Sequence, residues 1–317
     1  MAAIGSSPAV LRDHRLSQIT IAEVDRYRTH KTKGTLSATS INKTITRLAQ
    51  ILEVAIEYGI LERNPAKGKP RRLKAAKPAP VWLDSAEHIE ALANAAGELD
   101  REARADQRVP RRAILSTLTF AGLRIGEPIE LCWKDVDLAG GRITVRASKT
   151  DAGMRRIDLL PVLQDELATH KAGTRAGPDE RVFPTLAGGP LNPSNVRNRI
   201  LAKAVEHANE RLAAAGSVPL PEGLTPHKLR HTFASLLVAL GTDPGAVMDQ
   251  LGHTDPGFTL RVYRHGMRRD DDSKRQLRAL VGVEDRDAKR HPIGTSDTIE
   301  GLTDAIESNG HPAKAAY

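Results

Sequence analysis

Apolar side chains recur at a helical spacing in the first part of the chain. Between Ser40 and Tyr58 they alternate in steps of four and three, and Gly59 ends the stripe that they form. The members of the stripe are Ile41, Ile45, Leu48, Leu52 and Ala55. A shorter helical segment lies around TIAEVDRYRTHK. Residues 17–66 are therefore predicted to hold about two helices with a thin core between them.

A larger domain with a mixed pattern is predicted from residue 81 onward. The period shortens to two in RITVRA and RRIDLL, and SKTDAGM between these strands has the composition of a hairpin tip. The predicted helices lie at about 85–97, 111–122, 128–133, 194–213, 225–240, 244–251 and 257–264, and a further helix opens at Pro161. The predicted fold class is mainly α with a small antiparallel sheet, an α+β fold.

Two polar stretches flank this domain. Residues 67–80 are rich in Pro, Lys and Arg, and they are interpreted as a linker that is either solvated or laid as a basic strap on a phosphate backbone. Its candidate phosphate contacts are Lys67, Lys69, Arg71, Arg72 and Lys74. Residues 284–317 lose periodicity, which predicts a flexible tail. The predicted organisation is a helical segment at 1–66, the linker, a domain at 81–283 and the tail.

The composition indicates which kind of partner and which cellular compartment to expect. The 317 residues carry a formal net charge of +8 at pH 7, which favours a polyanionic partner, although such a balance also serves solubility alone. Cys132 is the single cysteine, so no internal disulfide forms and a reducing cytoplasm is expected. No apolar run approaches the roughly 20 residues that span a membrane, and MAAIGSSPAV lacks the features of a signal peptide. We expect a cytoplasmic protein with no membrane partner.

The helix predicted at 225–240 carries two histidines and an arginine in HKLRH. Thr225 is a suitable N-cap, and the apolar positions face a core, whereas His227 and Arg230 fall together on the opposite side. Three interpretations of that side are open: a solvated polar face, a zinc site and a phosphate site. Zinc is disfavoured because Lys228 stands where the zinc-protease pattern needs a carboxylate.

Three further stretches place polar side chains in special positions. Arg124 follows a Gly-containing turn, and a helix that begins near Ile125 would leave its guanidinium beside free N–H groups. Lys149 lies at the predicted hairpin tip. In LGHTDPGFTLRVYRH, His253 lies in a tight turn and Tyr263 follows it. Each has an ordinary explanation by itself, as a surface arginine, a solvated lysine or a half-buried core tyrosine.

Taken together, these stretches resemble the motifs of the tyrosine recombinase and phage integrase family. The matching residues, in chain order, are Arg124, Lys149, HKLR with Arg230, LGH and Tyr263. The resemblance runs over nearly all of 81–283, and ILEVAIEYGILERNP is similar to the end of that family's helical core-binding domain. It implies a partial SAM-like core-binding domain at 1–66, a basic linker at 67–80 and a tyrosine-recombinase catalytic domain at 81–283.

Four residues of the resemblance concern phosphate binding. Arg124 and Arg230 correspond to the paired arginines that hold the non-bridging oxygens of the scissile phosphate, and His253 to a histidine that hydrogen-bonds to it. Two guanidinium groups answer the charge that develops on the equatorial oxygens, so no metal is expected. Glu127 takes the family's acidic position after the first arginine, and it is expected to orient its neighbours as structural support.

The other three residues concern bond making and proton transfer. Tyr263 corresponds to the nucleophile, and because a phenol has an ordinary pKa of about 10 it needs a base or a positive pocket. His227 corresponds to the proton acceptor or donor. Lys149 corresponds to the lysine that protonates the leaving 5′ oxygen. Exchange of one phosphate ester for a 3′-phosphotyrosine conserves the bond energy, so neither ATP nor another cofactor is expected.

The resemblance implies a site-specific DNA recombinase of integrase type. Its expected partners are double-stranded DNA and three further copies of the chain in a homotetramer at synapsis, with DNA-bending accessory proteins as additional candidates. Two alternatives stay open. One is a truncated remnant that binds DNA but does not complete recombination, and the other is a type IB topoisomerase.

The chain departs from the family pattern in several places. We expect Pro128 to lie in the first turn of its helix, where the missing N–H costs little. About two helices can be read at 11–66 where the family has about four, so we expect a shortened product with weaker and more salt-sensitive DNA binding. Residues 207–223 form an insertion without an assigned function. DDSKRQLRALVGV is predicted as a helix that packs either on a neighbouring protomer or on its own.

Overall fold

The structure is a computed structural model of the chain. It describes residues 11, 14–68, 71–74, 81–104, 109–146, 154–252, 257, 262, 264, 266 and 269–283. The chain divides into two compact units, Met1–Pro80 and Val81–Tyr317. None of the helices in the described ranges combines the length and the apolar character needed to cross a membrane.

The N-terminal unit is built on two helices, α1 (Ile21–Thr32) and α2 (Ala38–Glu57). Each begins after a hydroxyl N-cap, Thr20 and Ser37, whose side-chain oxygen accepts a backbone N–H of the first turn. The predicted apolar stripe of α2 is confirmed, because four of its members are buried and Leu48 is half-buried. The largest buried cluster of this unit is small, as predicted, and it consists of Ile19, Val24, Leu52 and Ala66.

The first part of the predicted linker lies against α2. The Asn42 side chain exchanges two hydrogen bonds with the backbone of Leu73, at 2.9 and 2.8 Å. Arg72 Nη1 donates to the Asn42 carbonyl at 2.6 Å, and Lys67 Nζ lies 3.1 Å from a carboxylate oxygen of Glu53. Residues 71–74 are therefore attached to the unit, while Lys69 and residues 75–80 lie outside the described residues.

The second unit is mainly helical, and its small sheet is antiparallel. Its helices are α3 (Ala86–Glu102), α4 (Arg111–Phe120), α5 (Gly126–Glu130), α6 (Pro161–Ala172), α7 (Pro193–Asn195), α8 (Ala202–Ala214), α9 (Pro226–Ala239), α10 (Pro244–Leu251) and α11 (Asp271–Leu280). A π-helical turn, Val196–Leu201, joins α7 to α8. The strands are β1 (Val136–Asp137), β2 (Arg142–Val145) and β3 (Arg155–Asp158), paired in the order β1-β2-β3. The predicted fold class is confirmed.

Helix α9 lies in the centre of the core of this unit. Its predicted apolar stripe is buried, with Leu240 half-buried at the end. The opposite side is exposed at His227, as predicted, but it is buried from Arg230 onward apart from His231, which corrects the prediction of a polar side along the whole helix. Thr232 and Ser235 are part of that buried side, and the hydroxyl of Thr232 accepts the N–H of Leu83 at 2.9 Å. Hydrogen bonds to residues that are distant in the chain thus let polar residues of α9 pack inside.

Two predicted helices have wrong bounds, and one strand was not predicted. The helix expected at 85–97 continues to Glu102. The helix expected at 128–133 ends at Glu130, and a 3₁₀ turn, Trp133–Asp135, follows it. The helix stops because the backbone pairs with a neighbouring segment, where the N–H of Trp133 donates to the Glu180 carbonyl at 3.0 Å. Strand β1 comes directly afterwards, and two residues are too few to establish a period in the sequence.

The C-terminal part of the described chain returns to the core. Helix α11 confirms the helix predicted in DDSKRQLRALVGV, and it packs against α3 and α9 of the same chain with Leu277 and Val281 buried. The predicted insertion is mostly the end of α8 and a loop whose Leu220 is buried. Most of the helix predicted at 257–264 and all of the tail at 284–317 lie outside the described residues.

Candidate active site

The structure describes part of the predicted catalytic set. Arg124, His227 and Arg230 are described, whereas Lys149, His253 and Tyr263 lie outside the described residues. The roles of all six therefore stay predictions, and the geometry that follows concerns the described members and their neighbours.

Arg124 lies in the turn between α4 and α5. Gly122 makes this turn possible, because its φ of +57° is left-handed and an added Cβ would lie 2.3 Å from the Phe233 ring. Glu127 closes the first turn of α5, where its carboxylate accepts the Arg124 backbone N–H at 2.7 Å and Nη1 at 3.0 Å. The N–H of Arg124 is thus bound by Glu127. Pro128 stands in the first turn of α5, as predicted.

Arg230 is buried inside the unit, with 1% of its surface exposed. Its Nη1 donates to the Gly122 carbonyl at 2.5 Å, and its Nη2 donates to the Leu251 carbonyl. The interpretation of this side of α9 as a solvated polar face is therefore wrong for Arg230. Burial, and then the positive charges of Arg155 and Arg124, lower the pKa of Arg230 to about 9. The guanidinium remains protonated at neutral pH.

Three arginines converge on the C-terminal end of α10. Their donors reach consecutive backbone carbonyls, which carry the negative end of the helix dipole. The contacts are Arg155 Nε to Gln250 at 2.7 Å, Arg230 Nη2 to Leu251, and Arg124 Nη2 to Gly252 at 2.8 Å. Gly252 ends α10 in the left-handed conformation at φ +60°. The next residue in the chain is His253, a predicted phosphate ligand that lies outside the described residues.

Arg155 was missed in the sequence. It opens β3 on the side that faces the core, where Ile157 and Leu159 are also buried. Its Nη1 and Nη2 donate to the two carboxylate oxygens of Glu127 at 2.9 and 2.8 Å. The signal was present in RRIDLL, because an arginine at an inward position of an alternating strand needs a buried partner.

Glu127 connects the two sides of the site. It accepts hydrogen bonds from Arg124 on one side and from Arg155 on the other. Burial by itself would raise the pKa of this carboxyl group, but the hydrogen bonds and charge of Arg155, with those of Arg124, outweigh burial and lower the pKa. The carboxylate is therefore ionised at neutral pH and lies between two guanidiniums.

His227 stands at the start of α9, one turn before Arg230. Burial, followed by the charges of Arg230, Lys228 and Arg124, lowers the pKa of His227 below its ordinary value of 6.5. Its ring lies 4.7 Å from the His231 ring in an edge-to-face arrangement. No cluster of three or more His, Cys, Asp or Glu side chains that could hold a metal ion occurs among the described residues. A neutral imidazole next to guanidiniums is suited to accept a proton.

A second buried arginine network anchors the chain beyond Tyr263. Arg269 Nη1 donates to the Ser235 carbonyl at 3.0 Å, and Nη2 donates to the Ser235 hydroxyl at 2.6 Å and also contacts Asp84. Burial lowers the pKa of Arg269 to about 10, so it stays charged. Residue 269 is thereby attached to α9, the helix that carries Arg230.

Sequence comparisons follow the same outline. The Phage integrase family model matches residues 84–269. The tyrosine recombinase XerC of Xanthomonas campestris pv. campestris (strain B100) is 28% identical over 253 residues, which cover 79% of this chain and 71% of that protein. The tyrosine recombinase XerC of Bradyrhizobium diazoefficiens is 32% identical over 220 residues, which cover 65% of this chain and 63% of that protein.

Solved structures show the same fold at low sequence identity. The Tn1549 transposon integrase in complex with a circular intermediate DNA has a TM-score of 0.65 and 20% identity, covering 84% of this chain and 88% of that chain. A lambda integrase dimer bound to a core site has a TM-score of 0.61 and 18% identity, covering 91% and 90%.

Fold and site together define a class, the tyrosine recombinases, which are enzymes that transfer DNA strands. The family match extends over more than half of the sequence and includes the described arginines of the site. This chain belongs to the phage integrase family.

Proposed function

We propose that this protein is a site-specific recombinase of integrase type that cleaves and rejoins double-stranded DNA through a covalent 3′-phosphotyrosine. The observation that carries the proposal is the convergence of Arg124 and Arg230 on the carbonyls of Gly252 and Leu251. A phosphate offers the same kind of acceptor with a full negative charge, and it binds guanidinium more strongly than a carbonyl does. Arg124 is 45% exposed on its side chain, so it can be reached from solvent.

The cleavage step uses one nucleophile, one base and one acid. The phenol oxygen of Tyr263 attacks the phosphorus, a new P–O bond forms, and the bond from phosphorus to the 5′ oxygen breaks. His227 takes the phenol proton, and Lys149 gives a proton to the departing 5′ oxygen. Arg124 and Arg230 bind the non-bridging oxygens, with His253 as a further donor. Attack by a 5′ hydroxyl of a partner strand reverses the step and joins new strands.

The charges of the described residues fit a reaction that uses neither metal nor ATP. The guanidiniums of Arg124 and Arg230 supply the positive charge that a divalent cation supplies elsewhere. The broken ester is exchanged for another ester, so the bond energy is retained for rejoining. Glu127, ionised between its two partners, orients Arg124 and does not enter the proton transfers.

DNA is the proposed partner, and the homotetramer at synapsis and DNA-bending proteins are proposed with it. A net charge of +8 and the exposed side chains of Arg197, Arg199 and Lys203 support a polyanion. None of these three has an ion pair within the part of the chain that the structure describes. The solved relatives point the same way, since the Tn1549 integrase is in complex with DNA and the lambda integrase dimer is bound to a core site.

A nicked duplex that carries the recombination site tests the proposal. Cleavage close to the nick releases a short fragment that carries the free 5′ hydroxyl. Because this fragment diffuses away and cannot rejoin, the covalent adduct accumulates and shows as a slower band on a denaturing gel. We expect the adduct with the natural chain and none with Tyr263→Phe. Tyr58→Phe is the matched control, because Tyr58 is 78% exposed and lies in the other unit.

The outcomes separate the alternatives. No adduct with the natural chain, together with specific DNA binding, identifies a binding protein that does not cleave. An adduct accompanied by relaxation of supercoils without joining of two duplexes identifies a topoisomerase. An adduct that persists in Tyr263→Phe contradicts the assignment of the nucleophile.

A further inference from the structure

Arg155 is a buried charge for which the cleavage mechanism has no use. Its side chain is 4% exposed, and all three of its donor nitrogens are engaged, two with Glu127 and one with the Gln250 carbonyl. Burial of an arginine is unfavourable unless its partners match it closely. A surface position would serve the stability of the sheet equally well, as the exposed Arg142–Asp158 pair on β2 and β3 does. The burial of Arg155 therefore needs a reason beyond the sheet.

The reason lies in the charge balance of the shared carboxylate. Glu127 accepts from Arg124 Nη1 at 3.0 Å and from both Nη atoms of Arg155 at 2.9 and 2.8 Å. The bidentate contact to Arg155 is the stronger of the two geometries. With Arg155 present, the group of three side chains has a net charge of +1. Without Arg155, the same carboxylate would neutralise Arg124 and turn its donors inward.

We propose that Arg155 is a positioning residue that occupies Glu127 and so leaves the charge and the outer donors of Arg124 available to the scissile phosphate. Its Nε contact fixes the Gln250 carbonyl, and the next two carbonyls are the ones that Arg230 and Arg124 bind. Arg155 thus connects the strand after the Lys149 hairpin to the end of α10. This inference rests on the proposed function.

The test measures the rate of covalent adduct formation on the nicked duplex, at saturating DNA. We expect Arg155→Met to reduce this rate by about 100-fold, a loss typical of one misplaced oxyanion donor, while DNA affinity changes little. Arg155→Lys keeps the charge near Glu127 and is expected to lose less than Arg155→Met. Arg142→Met is the matched control, because it removes an exposed arginine and its ion pair from the same sheet.

The double variant Glu127→Gln with Arg155→Met distinguishes a positioning role of Arg155 from a purely structural one, because only a positioning role predicts that the cleavage rate recovers. The neutral amide no longer competes for Arg124, so we expect the double variant to cleave about 10-fold faster than Arg155→Met alone. A residue that only packs would give a double variant as slow as the single one or slower. Circular dichroism melting establishes that each variant is folded. If Arg155→Met does not fold, the same comparison is made between Arg155→Lys and Arg155→Lys with Glu127→Gln.

Two results overturn the inference. One is a folded Arg155→Met that cleaves at the natural rate, and the other is the absence of recovery in the double variant. Both require an adduct with the natural chain. Absence of that adduct overturns the proposed function itself, so the two failures are distinguishable.

Discussion

No described lysine or arginine of the N-terminal unit is buried, whereas the second unit buries Arg155 and Arg230. In the N-terminal unit, the Lys67 side chain is 71% exposed beside a Glu53 that is 46% exposed. In the second unit (Val81–Tyr317), which carries the candidate active site and is called the catalytic unit below, Arg155 and Glu127 are 4% and 9% exposed, and Arg230 is buried among backbone carbonyls. Exposed charges can exchange a carboxylate for a DNA phosphate without affecting the fold. Buried charges are part of the packing, so their geometry is set before DNA arrives.

The cores of the two units differ in the same sense. The cluster around Leu52 in the N-terminal unit has few members, whereas a single large cluster runs through the catalytic unit from Trp82 to Val281. A large core can tolerate the unfavourable burial of arginines because many apolar contacts offset it. The buried arginines of the site therefore lie in the unit whose larger core can offset the free-energy cost of burying them.

The largest difference in cleavage rate is expected when an arginine is replaced by glutamine in each unit. Arg230→Gln removes a buried fixed charge beside the predicted phosphate position, so we expect adduct formation to fall by about 100-fold to 1000-fold. Arg72→Gln is the counterpart, because Arg72 also donates to a backbone carbonyl but is exposed. We expect Arg72→Gln to cleave at a nearly natural rate once DNA is saturating. Equal losses in both variants would show that burial of the arginine is irrelevant to cleavage.

Core substitutions are expected to separate the stabilities of the units. Leu118→Ala removes a fully buried side chain from the large core and should lower the free energy of unfolding by about 2–5 kcal/mol. Leu52→Ala makes the same change in the small cluster. Both tryptophans, Trp82 and Trp133, lie in the catalytic unit, so fluorescence follows that unit alone.

In denaturant titrations, Leu118→Ala should therefore move the fluorescence midpoint, and Leu52→Ala should leave it in place while circular dichroism loses helical signal at lower denaturant. A fluorescence midpoint that moves equally in both variants would mean that the two units unfold as one.

The sequence predicted what periodicity can express. The stripe of α2, the positions of most helices and the hairpin strands follow from patterns of apolar residues over several turns. β1 escaped because a strand of two residues has no period, and the end of α5 was misplaced because backbone pairing with the Glu180 segment decides it. α9 was predicted to be amphipathic because the sequence does not show that Thr232 and Arg230 have hydrogen-bond partners in the interior, the backbone N–H of Leu83 and the carbonyl of Gly122.

The described residues of the site also differ in whether they could be predicted from the sequence. Arg124, His227 and Arg230 were found through a family resemblance, since no local pattern distinguishes them from surface residues. Arg155 was missed because its partner Glu127 lies on α5, 28 residues earlier in the chain, and only the packing of α5 against β3 brings the two side chains together. Charge pairing over such separations is a property of the tertiary structure.

A pH profile tests whether His227 accepts a proton. Only the neutral imidazole can do so, and because burial and the neighbouring cations lower its pKa, the loss of activity on acidification should begin below the ordinary value of 6.5. Below that limb the rate of adduct formation should fall about tenfold per pH unit. Lys228→Gln removes one of the cations and should move the acidic limb of the pH profile to higher pH. Lys43→Gln, which changes an exposed lysine of α2, should leave the acidic limb in place. A limb at or above 6.5 in the natural chain contradicts the assignment.

The smallest effect is expected at Lys67. Its pair with Glu53 is solvent-exposed, and such pairs contribute little to stability, so Lys67→Gln should leave the melting midpoint unchanged. If Lys67 binds a DNA phosphate instead, removal of its charge should reduce the slope of log affinity against log salt by about 0.9. Glu53→Gln is the informative partner, because it releases Lys67 from its carboxylate and should strengthen DNA binding at low salt. If both variants keep the natural slope and affinity, the basic segment at 67–74 does not lie on the DNA backbone, and the exposed charges of the N-terminal unit serve solubility alone.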